Sequence, residues 1–276
     1  MAIKSILCPY SGEKNSAAVL RYALAAARHH DAWLTGVVAH SPMNLERRFG
    51  GVVSQQILSI LREKEDERSA TIKRQFQSEV ESAGWLEKAE FAEFDDNDDY
   101  VLSAFARGFD VVMIGAHSED SSDTHLSPHP DVLTLQSGRP VLMIPDGFES
   151  DRLANHVLVA WDGKRAAARA VGEAMVMLEQ KGKVTLVTVG KKAVKGIDGI
   201  GGIKTLMERH GVVCEHVHCA TAPKGVGYQI LSTADEIGAE MIVMGAYEHS
   251  KFSHELFGGA TTDVMAHSEV PVMLVH

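Results

Sequence analysis

Short runs of apolar residues alternate along the chain with stretches in which apolar residues recur every three to four positions. The runs at 3–9, 33–39 and 110–114 have the length of strands and are mostly apolar. The stretches at 14–30 and 54–83 have the period of helices with one buried face. Strands buried on both faces and separated by helices are typical of a parallel sheet covered on both sides. The pattern therefore predicts an α/β fold.

The second half of the chain repeats the first. Residues 157–163, VLVAWDG, correspond to residues 6–12, ILCPYSG, and a helical segment follows each motif. Residues 238–250, GAEMIVMGAYEHS, correspond in the same way to residues 108–118, GFDVVMIGAHS. A repeat of about half the chain indicates two homologous domains and not a solenoid.

We predict two tandem domains, residues 1–146 and 155–276, joined by a polar linker. Each is expected to be a doubly wound, Rossmann-like parallel sheet with a ligand crevice at the carboxyl ends of its strands. For the second domain we predict strands at 157–161, 183–189, 212–219, 240–244 and 270–275, and helices at 165–180, 202–210, 225–237 and 259–267. We interpret the glycine-rich residues 196–202 as a linker.

Charge and composition exclude several classes of partner. The net charge of -10 repels nucleic acid and anionic membranes, so we expect neither as a partner. No apolar run approaches the roughly 20 residues that span a bilayer. Cys8, Cys214 and Cys219 are too few and too scattered for a disulfide framework, and this predicts a reducing, cytoplasmic compartment.

The first turn of the second domain carries Asp162 and Gly163. A carboxylate at this position accepts hydrogen bonds from a ribose hydroxyl or an adenine amine, or else it is a turn aspartate that caps the next helix. The sequence leaves both roles open. The first domain has the neutral Ser11 at the corresponding position, so we expect a nucleotide in the second domain.

A longer motif closes the chain. The strand at 241–245 ends in Met-Gly, a Gly-Gly-Ala-Thr motif at 258–261 opens a helix, and a Val-Pro-Val segment at 270–272 begins the last strand. Together with the repeat, these motifs resemble the universal stress protein family in its tandem two-domain form, over nearly the whole chain. The resemblance implies a fold like that of the adenine nucleotide alpha hydrolases.

The resemblance also implies a ligand, which is ATP or another adenine nucleotide, with Mg²⁺ as its companion and no obligatory cofactor. By the resemblance, Asp162 and Gly163 lie near the base and ribose, and Val189 flanks the adenine. The residues implied to line the ribose and phosphates are Gly245, Gly258, Gly259, Ala260 and Thr261.

The chain departs from the loop pattern of the ATP-binding members at two positions. Glu248 stands where their second glycine is expected, and Gly259 stands where a serine or threonine is expected. A carboxylate near phosphates is repulsive, and a lost hydroxyl removes one hydrogen bond. In the first domain, Ser127 and Pro128 replace the glycine pair, and proline has no N–H to offer a phosphate. We therefore interpret the first domain as a structural partner with a degenerate site.

Cys214, His216 and His218 alternate along a predicted strand and so share one face. Their side chains are of the types that bind zinc. An edge strand with polar residues explains them more simply, and no metal-binding spacing supports a site. We predict no metal.

Three functions remain open. The first is a stress-response module that binds an adenine nucleotide in the second domain, without an identified catalytic group. The second is a universal stress protein that has lost nucleotide binding and acts as a dimerising scaffold or a carrier of another small ligand. The third is a slow ATPase, with Asp162, His249 and His254 as its candidate residues. In each case we expect the halves to pair through strands at 141–144 and 270–275, whose exposed edges would otherwise favour aggregation; a homodimer remains open.

Overall fold

The computed structural model describes residues 2–39, 54–94, 99–116, 129–190, 200–247 and 259–276. These residues divide into two compact units, an N-terminal unit within Ile3–Arg139 and a C-terminal unit within Pro140–His276. Each unit contains a largely parallel sheet with helices between its strands. The predicted α/β fold is confirmed.

The N-terminal unit has its first strand in the middle of the sheet. Its strands are β1 (Ser5–Pro9), β2 (Trp33–Ala39), β3 (Ala89–Phe94) and β4 (Val111–Gly115), and its helices are α1 (Lys14–His30), α2 (Gln55–Ser82), α3 (Asp99–Ala106) and α4 (Pro130–Gln136). The strand order is β3-β2-β1-β4, and each of these pairs is parallel. Because the chain leaves β1 first in one direction and later in the other, the sheet is doubly wound.

The C-terminal unit repeats this order and adds two strands. Its strands are β5 (Val141–Ile144), β6 (His156–Ala160), β7 (Lys183–Val189), β8 (Cys214–Cys219), β9 (Met241–Gly245) and β10 (Val272–Val275), and its helices are α5 (Arg165–Leu178), α6 (Ile200–Arg209), α7 (Val226–Glu236) and α8 (Gly259–His267). The strand order is β5-β10-β9-β6-β7-β8, in which β10 and β5 are the two added strands.

Strands β5 and β10 pair antiparallel, with Met143 opposite Val272. The pairing that we predicted between the last strands of the two repeats is confirmed. Both strands are fully buried, so the pairing covers two apolar edges. The compact C-terminal unit therefore includes β5, which the repeat assigns to the first half; the domain limits 1–146 and 155–276 stay a prediction.

Apolar strands and one-sided helices account for the C-terminal core. Strand β6 is buried along its first four residues. Helix α5 buries one stripe at helical spacing, made of Ala166, Ala167, Ala170, Val171, Ala174, Met175 and Leu178. Its small side chains let the helix lie close to the sheet, which becomes important at the end of β9.

The linker interpretation of residues 196–202 is wrong for its last three residues. Helix α6 begins at Ile200 and includes Gly201 and Gly202. Glycine is a poor helix former, but Ile203 and Met207 bury an apolar face one turn apart, and this packing outweighs the local preference. Residues 196–199 lie outside the described part of the chain.

Within the described residues, no helix combines the length and the apolar character needed to cross a bilayer. The cysteines Cys8, Cys214 and Cys219 are all free thiols.

Candidate functional site

The switch point of the C-terminal sheet lies between β6 and β9. Strand β6 has β7 on one side and β9 on the other, with Ala160 opposite both Val187 and Met244. The residues that follow β6 and β9 therefore emerge side by side at the carboxyl edge. In a doubly wound sheet this edge is where ligands bind. It brings the turn at Asp162 beside Gly245.

The turn after β6 is held by its own backbone and by Asp162. Asp162 accepts a hydrogen bond from the Lys164 N–H at 2.9 Å, and its other carboxylate oxygen lies 3.5 Å from the Lys164 ammonium. Gly163 has a φ of +77°, a conformation that favours glycine. Asp162 thus shapes the turn, but it does not cap the next helix, whose N-cap residue is Lys164. More than half of its side chain, 53%, stays exposed and can accept further hydrogen bonds.

Helix α5 starts from this turn without a side-chain cap. Lys164 is its N-cap residue and makes no capping hydrogen bond. No N-cap side chain therefore satisfies the N–H groups of the first helical turn, at the positive end of the helix dipole.

Two basic residues, Lys164 and Arg165, stand at the start of α5. Cations at a helix N-terminus oppose the dipole, and the Asp162 carboxylate, 3.5 Å from the Lys164 ammonium, offsets part of that cost. Our sequence reasoning missed these residues. The signal available was a basic pair directly after the Asp-Gly turn, where helix starts normally favour acids.

Gly245 ends β9 in direct contact with α5. An ideal Cβ on Gly245 would lie 2.5 Å from both the carbonyl carbon of Ala166 and the N of Ala167. Real Cβ atoms do not approach backbone so closely. The absence of a side chain at Gly245 therefore serves the packing of strand on helix, whether or not a ligand binds.

Trp161 places a second unusual group beside the turn. Its backbone N–H donates to the Val187 carbonyl at 2.8 Å, and the residue is 8% exposed. Its indole N–H is buried and has no hydrogen-bond partner among the described residues. A buried donor without a partner is costly.

The glycine-rich end of the site is only partly described, because Gly258 and Glu248 lie outside the described residues. Gly259 is the first residue of α8, and among the described residues a side chain added there would meet only an Asp263 carboxylate oxygen, at 3.9 Å. Thr261 is 5% exposed, so its side chain belongs to the packing of α8.

Ala260 belongs to the contact between α7 and α8, since its carbonyl oxygen lies 2.8 Å from the ideal Cβ position of Gly227. Within the described chain, no hydrogen bond or ion pair joins Asp162 to residues 259–261.

Val189, implied by the resemblance to flank an adenine, ends β7 and is half-buried. It stands opposite Cys219 on β8, and the next residue, Gly190, has a φ of +125°. Val189 and Asp162 thus follow neighbouring strands at the same edge of the sheet.

The zinc-type residues of β8 make other contacts. The Thr188 hydroxyl lies 3.0 Å from His216 Nε2 and 3.0 Å from His218 Nδ1, and Cys214 is buried. Burial lowers the pKa of His216, and His218 and Lys204 lower it further. Strand β8 is the edge strand that we expected. Among the described residues, no three histidine, cysteine or acidic side chains are grouped as metal ligands.

The corresponding edge of the N-terminal unit is built differently. Ser11 accepts a hydrogen bond from the Glu13 N–H at 3.4 Å, and Gly12 has the same φ of +77° as Gly163. The Asn15 amide nitrogen donates to the Ala116 carbonyl at 3.1 Å and lies 2.7 Å from the ideal Cβ position of Gly115. A polar side chain thus fills the space beside Gly115. Ser127 and Pro128 lie outside the described residues.

Comparison with known proteins gives one sequence relative and several structures. A universal stress protein of Synechocystis sp. is 24% identical over 173 residues, which cover 60% of this chain. The match spans 57% of the length of that relative. A universal stress protein from Archaeoglobus fulgidus has the same fold, with a TM-score of 0.73 at 20% identity, over 98% of this chain and 95% of the other.

A functionally unknown protein from Pseudomonas aeruginosa also shares the fold, with a TM-score of 0.61 at 15% identity, over 99% of this chain and 92% of the other. Residues 154–276 match the sequence model of the universal stress protein family. This matched region contains the Asp162 turn, Gly245 and the α8 motif, so the similarity to the universal stress protein family lies in the part of the chain that carries the candidate site.

Proposed function

We propose that the C-terminal unit binds an adenine nucleotide at the carboxyl edge of β6 and β9, and that the protein acts as a nucleotide-responsive stress module. The observation that carries the proposal is the turn at 161–165. There, an exposed carboxylate, an uncapped helix N-terminus and two basic side chains lie within five residues.

The parts of this turn match the parts of a nucleotide. The exposed Asp162 carboxylate can accept further hydrogen bonds, and ribose hydroxyls are hydrogen-bond donors. The first turn of α5 and the charges of Lys164 and Arg165 suit phosphate, which is attracted by helix N-termini and by cations. The Trp161 indole N–H is a spare donor beside them.

Equilibrium dialysis with ATP, ADP, AMP and adenosine tests the proposal, with and without Mg²⁺. We expect Asp162→Asn to weaken all four ligands about tenfold, because a hydrogen bond to a charged group contributes about 1.5 to 3 kcal/mol. Asparagine keeps the turn, since its amide oxygen still accepts from the Lys164 N–H. The matched control is Asp235→Asn, an equal charge change at an exposed position of α7.

Lys164→Ala separates phosphate from base recognition. It should weaken AMP and ATP several-fold and leave adenosine unchanged, since adenosine has no phosphate. The proposal fails if no nucleotide binds at millimolar concentration, or if Asp162→Asn and Asp235→Asn bind equally well.

Whether the protein is a slow ATPase is tested separately, with the parent protein and an Asp162 variant. An ATPase predicts phosphate release that Asp162→Ala abolishes; equal release by parent and variant assigns the activity to a contaminant. His249 and His254 lie outside the described residues.

We propose the cytoplasm as the compartment, and three free thiols support this. The solution mass of the protein decides whether it forms a homodimer.

The alternative of a universal stress protein that carries another small ligand is favoured by one observation. The N-terminal unit contains a cavity of about 420 Å³ at the amino ends of its strands β1 and β2. The proposed nucleotide site of the C-terminal unit lies at the carboxyl ends of its strands.

A further inference from the structure

The two units differ at the amino end of their sheets, where His156 begins β6 and Ser5 begins β1. The two residues occupy equivalent places. Asp110 Oδ2 accepts hydrogen bonds from the Lys4 and Ser5 N–H groups at 2.7 and 3.0 Å. Glu240 Oε2 accepts from the Asn155 and His156 N–H groups at 2.5 and 3.3 Å in the same way.

In the C-terminal unit the His156 imidazole fills the space beside the first residues of β6. It lies between two partners, with Nε2 at 2.9 Å from the Thr185 hydroxyl and Nδ1 at 3.2 Å from the Gly238 carbonyl. His156 is 9% exposed. The two nitrogens of the His156 ring thus join the Thr185 hydroxyl on β7 to the Gly238 carbonyl, which precedes β9.

The N-terminal unit keeps both partners and lacks the ring. Thr35 corresponds to Thr185, since Glu90 faces it across the strands as Glu215 faces Thr185. Gly108 corresponds to Gly238 in the sequence repeat. Thr35 is 8% exposed, and neither its hydroxyl nor the Gly108 carbonyl has a hydrogen-bond partner among the described residues.

A cavity of about 420 Å³ lies where the ring would be, and Ser5, Thr35 and Gly108 line it. Its walls are aromatic. Phe105 and Phe109 stand with ring centroids 5.1 Å apart, and Trp33, 47% exposed, lines it as well. Of the described residues that line the cavity, Glu90 alone is charged. Such walls suit a flat ring, and the carboxylate favours a cationic substituent over an anionic one.

We propose that this cavity binds a small nitrogen heteroaromatic of the imidazole class, in the orientation that His156 has in the other unit. The Thr35 hydroxyl and the Gly108 carbonyl hold the two ring nitrogens, and the phenylalanine rings flank the plane. An amine on the ring reaches Glu90. The site lies at the amino ends of β1 and β2 and is separate from the proposed nucleotide edge.

The test uses the full chain labelled with 5-fluorotryptophan and titrated with imidazole and with histamine at about pH 8. The chain has three tryptophans, and Trp33→Phe identifies the ¹⁹F signal of Trp33. We expect that signal to shift saturably, with a dissociation constant for imidazole of roughly a millimolar, as ligand efficiency allows for five heavy atoms. The Trp161 signal should stay in place. Histamine should bind several-fold more tightly than imidazole, and Glu90→Gln should remove that difference.

Substitutions show whether binding depends on specific hydrogen bonds or only on an apolar cavity. Thr35→Val keeps the shape and should weaken imidazole about five- to tenfold through the lost hydrogen bond; Thr71→Val, the same change on exposed α2, should bind as the parent does. Ser5→His should abolish binding by supplying the ring from the chain. Thiophene, a ring of the same size without nitrogen, should bind at least tenfold more weakly.

A second experiment keeps the proposal testable if Ser5→His does not fold. His156→Ser opens the equivalent space in the C-terminal unit, and imidazole should restore part of the thermal midpoint that this variant loses. The proposal is overturned if the Trp33 signal shows no saturable shift, if thiophene matches imidazole, or if Thr35→Val and Thr71→Val bind equally. Failure of imidazole to raise the midpoint of His156→Ser removes the template on which the proposal rests.

Discussion

Gly245 and Ala166 are in backbone contact at the end of β9, so close that a Cβ on Gly245 would lie 2.5 Å from the Ala166 carbonyl carbon. The contact joins the last residue of a central strand to the first turn of α5. Backbone cannot move aside as a flexible side chain can. The identity of residue 245 is therefore fixed by packing, and a ligand need not be invoked to explain it.

Gly245→Ala should destabilise the C-terminal unit by about 1 to 3 kcal/mol, the usual cost of forcing extra atoms into a packed interior. The expected loss in thermal midpoint is several degrees. Differential scanning calorimetry measures it. The control is Gly172→Ala, in an exposed position of α5 with no atom within 4 Å of the added Cβ.

Gly172→Ala should raise the midpoint, because alanine is favoured over glycine inside a helix by about 1 kcal/mol. If the two alanine variants change stability in the same direction, the close contact at Gly245 does not constrain the fold.

Cys8 links the stability of the N-terminal unit to alkaline pH. Burial raises the pKa of this thiol from 9.0 to about 12. The unfolded chain therefore releases the proton above about pH 9 while the folded chain retains it. The stabilisation is fully present below pH 9 and is lost by about 1.4 kcal/mol per pH unit as the pH rises toward 12.

Urea midpoints at about pH 8 and pH 10 measure this loss. Cys8→Ala removes the titrating group, so its midpoint should fall less than that of the parent between the two pH values. Other groups titrate in both proteins, and the difference between them isolates Cys8. Equal falls in parent and variant would contradict the raised pKa.

His216 should titrate below its ordinary pKa of 6.5, because burial and the neighbouring His218 and Lys204 disfavour its charged form. The folded state then binds fewer protons than the unfolded state below pH 6.5. The resulting stabilisation is present above that pH and is lost as the pH falls through the folded pKa. A proton NMR titration of the imidazole ring gives the value directly.

His218→Gln removes one like charge and should move the pKa of His216 upward. Glutamine can also hydrogen-bond to the Thr188 hydroxyl, so the variant can keep that contact. A His216 pKa that stays unchanged in the variant would show that His218 does not contribute to the lowered value.

Gly259→Ser should strengthen nucleotide binding in the C-terminal unit. It adds a hydroxyl at the position where the resemblance to ATP-binding family members implies one, and among the described residues a side chain there meets only an Asp263 oxygen at 3.9 Å. One neutral hydrogen bond contributes about 0.5 to 1.5 kcal/mol, which is about a two- to tenfold gain in affinity for ATP.

Gly259→Ala is the matched control in dialysis, because it gives the helix the same gain over glycine without a hydroxyl. If Gly259→Ala and Gly259→Ser bind ATP equally, residue 259 does not contact the phosphates.

The sequence predicted most elements within one or two residues, because apolar periodicity and turn residues are local signals. Strand β7 (Lys183–Val189) and helix α8 (Gly259–His267) begin and end where the pattern placed them. The helix α6 was shortened in prediction, since Gly201 and Gly202 are poor helix formers and the packing of Ile203 and Met207 is invisible in the local sequence. The Asp162 turn was expected, but the uncapped basic start of α5 was not recognised.

By itself, the sequence predicted a duplicated α/β chain that resembles the universal stress protein family, with its candidate nucleotide residues in the second half. Only the tertiary structure decided what neighbours each residue has across the sheet. It placed Ala166 against Gly245, joined His156 to Thr185 and Gly238, and left Thr35 and Gly108 facing a cavity in the other unit. The reason is physical: periodicity records which face of an element is buried, whereas the partner on that face comes from residues far away in the chain.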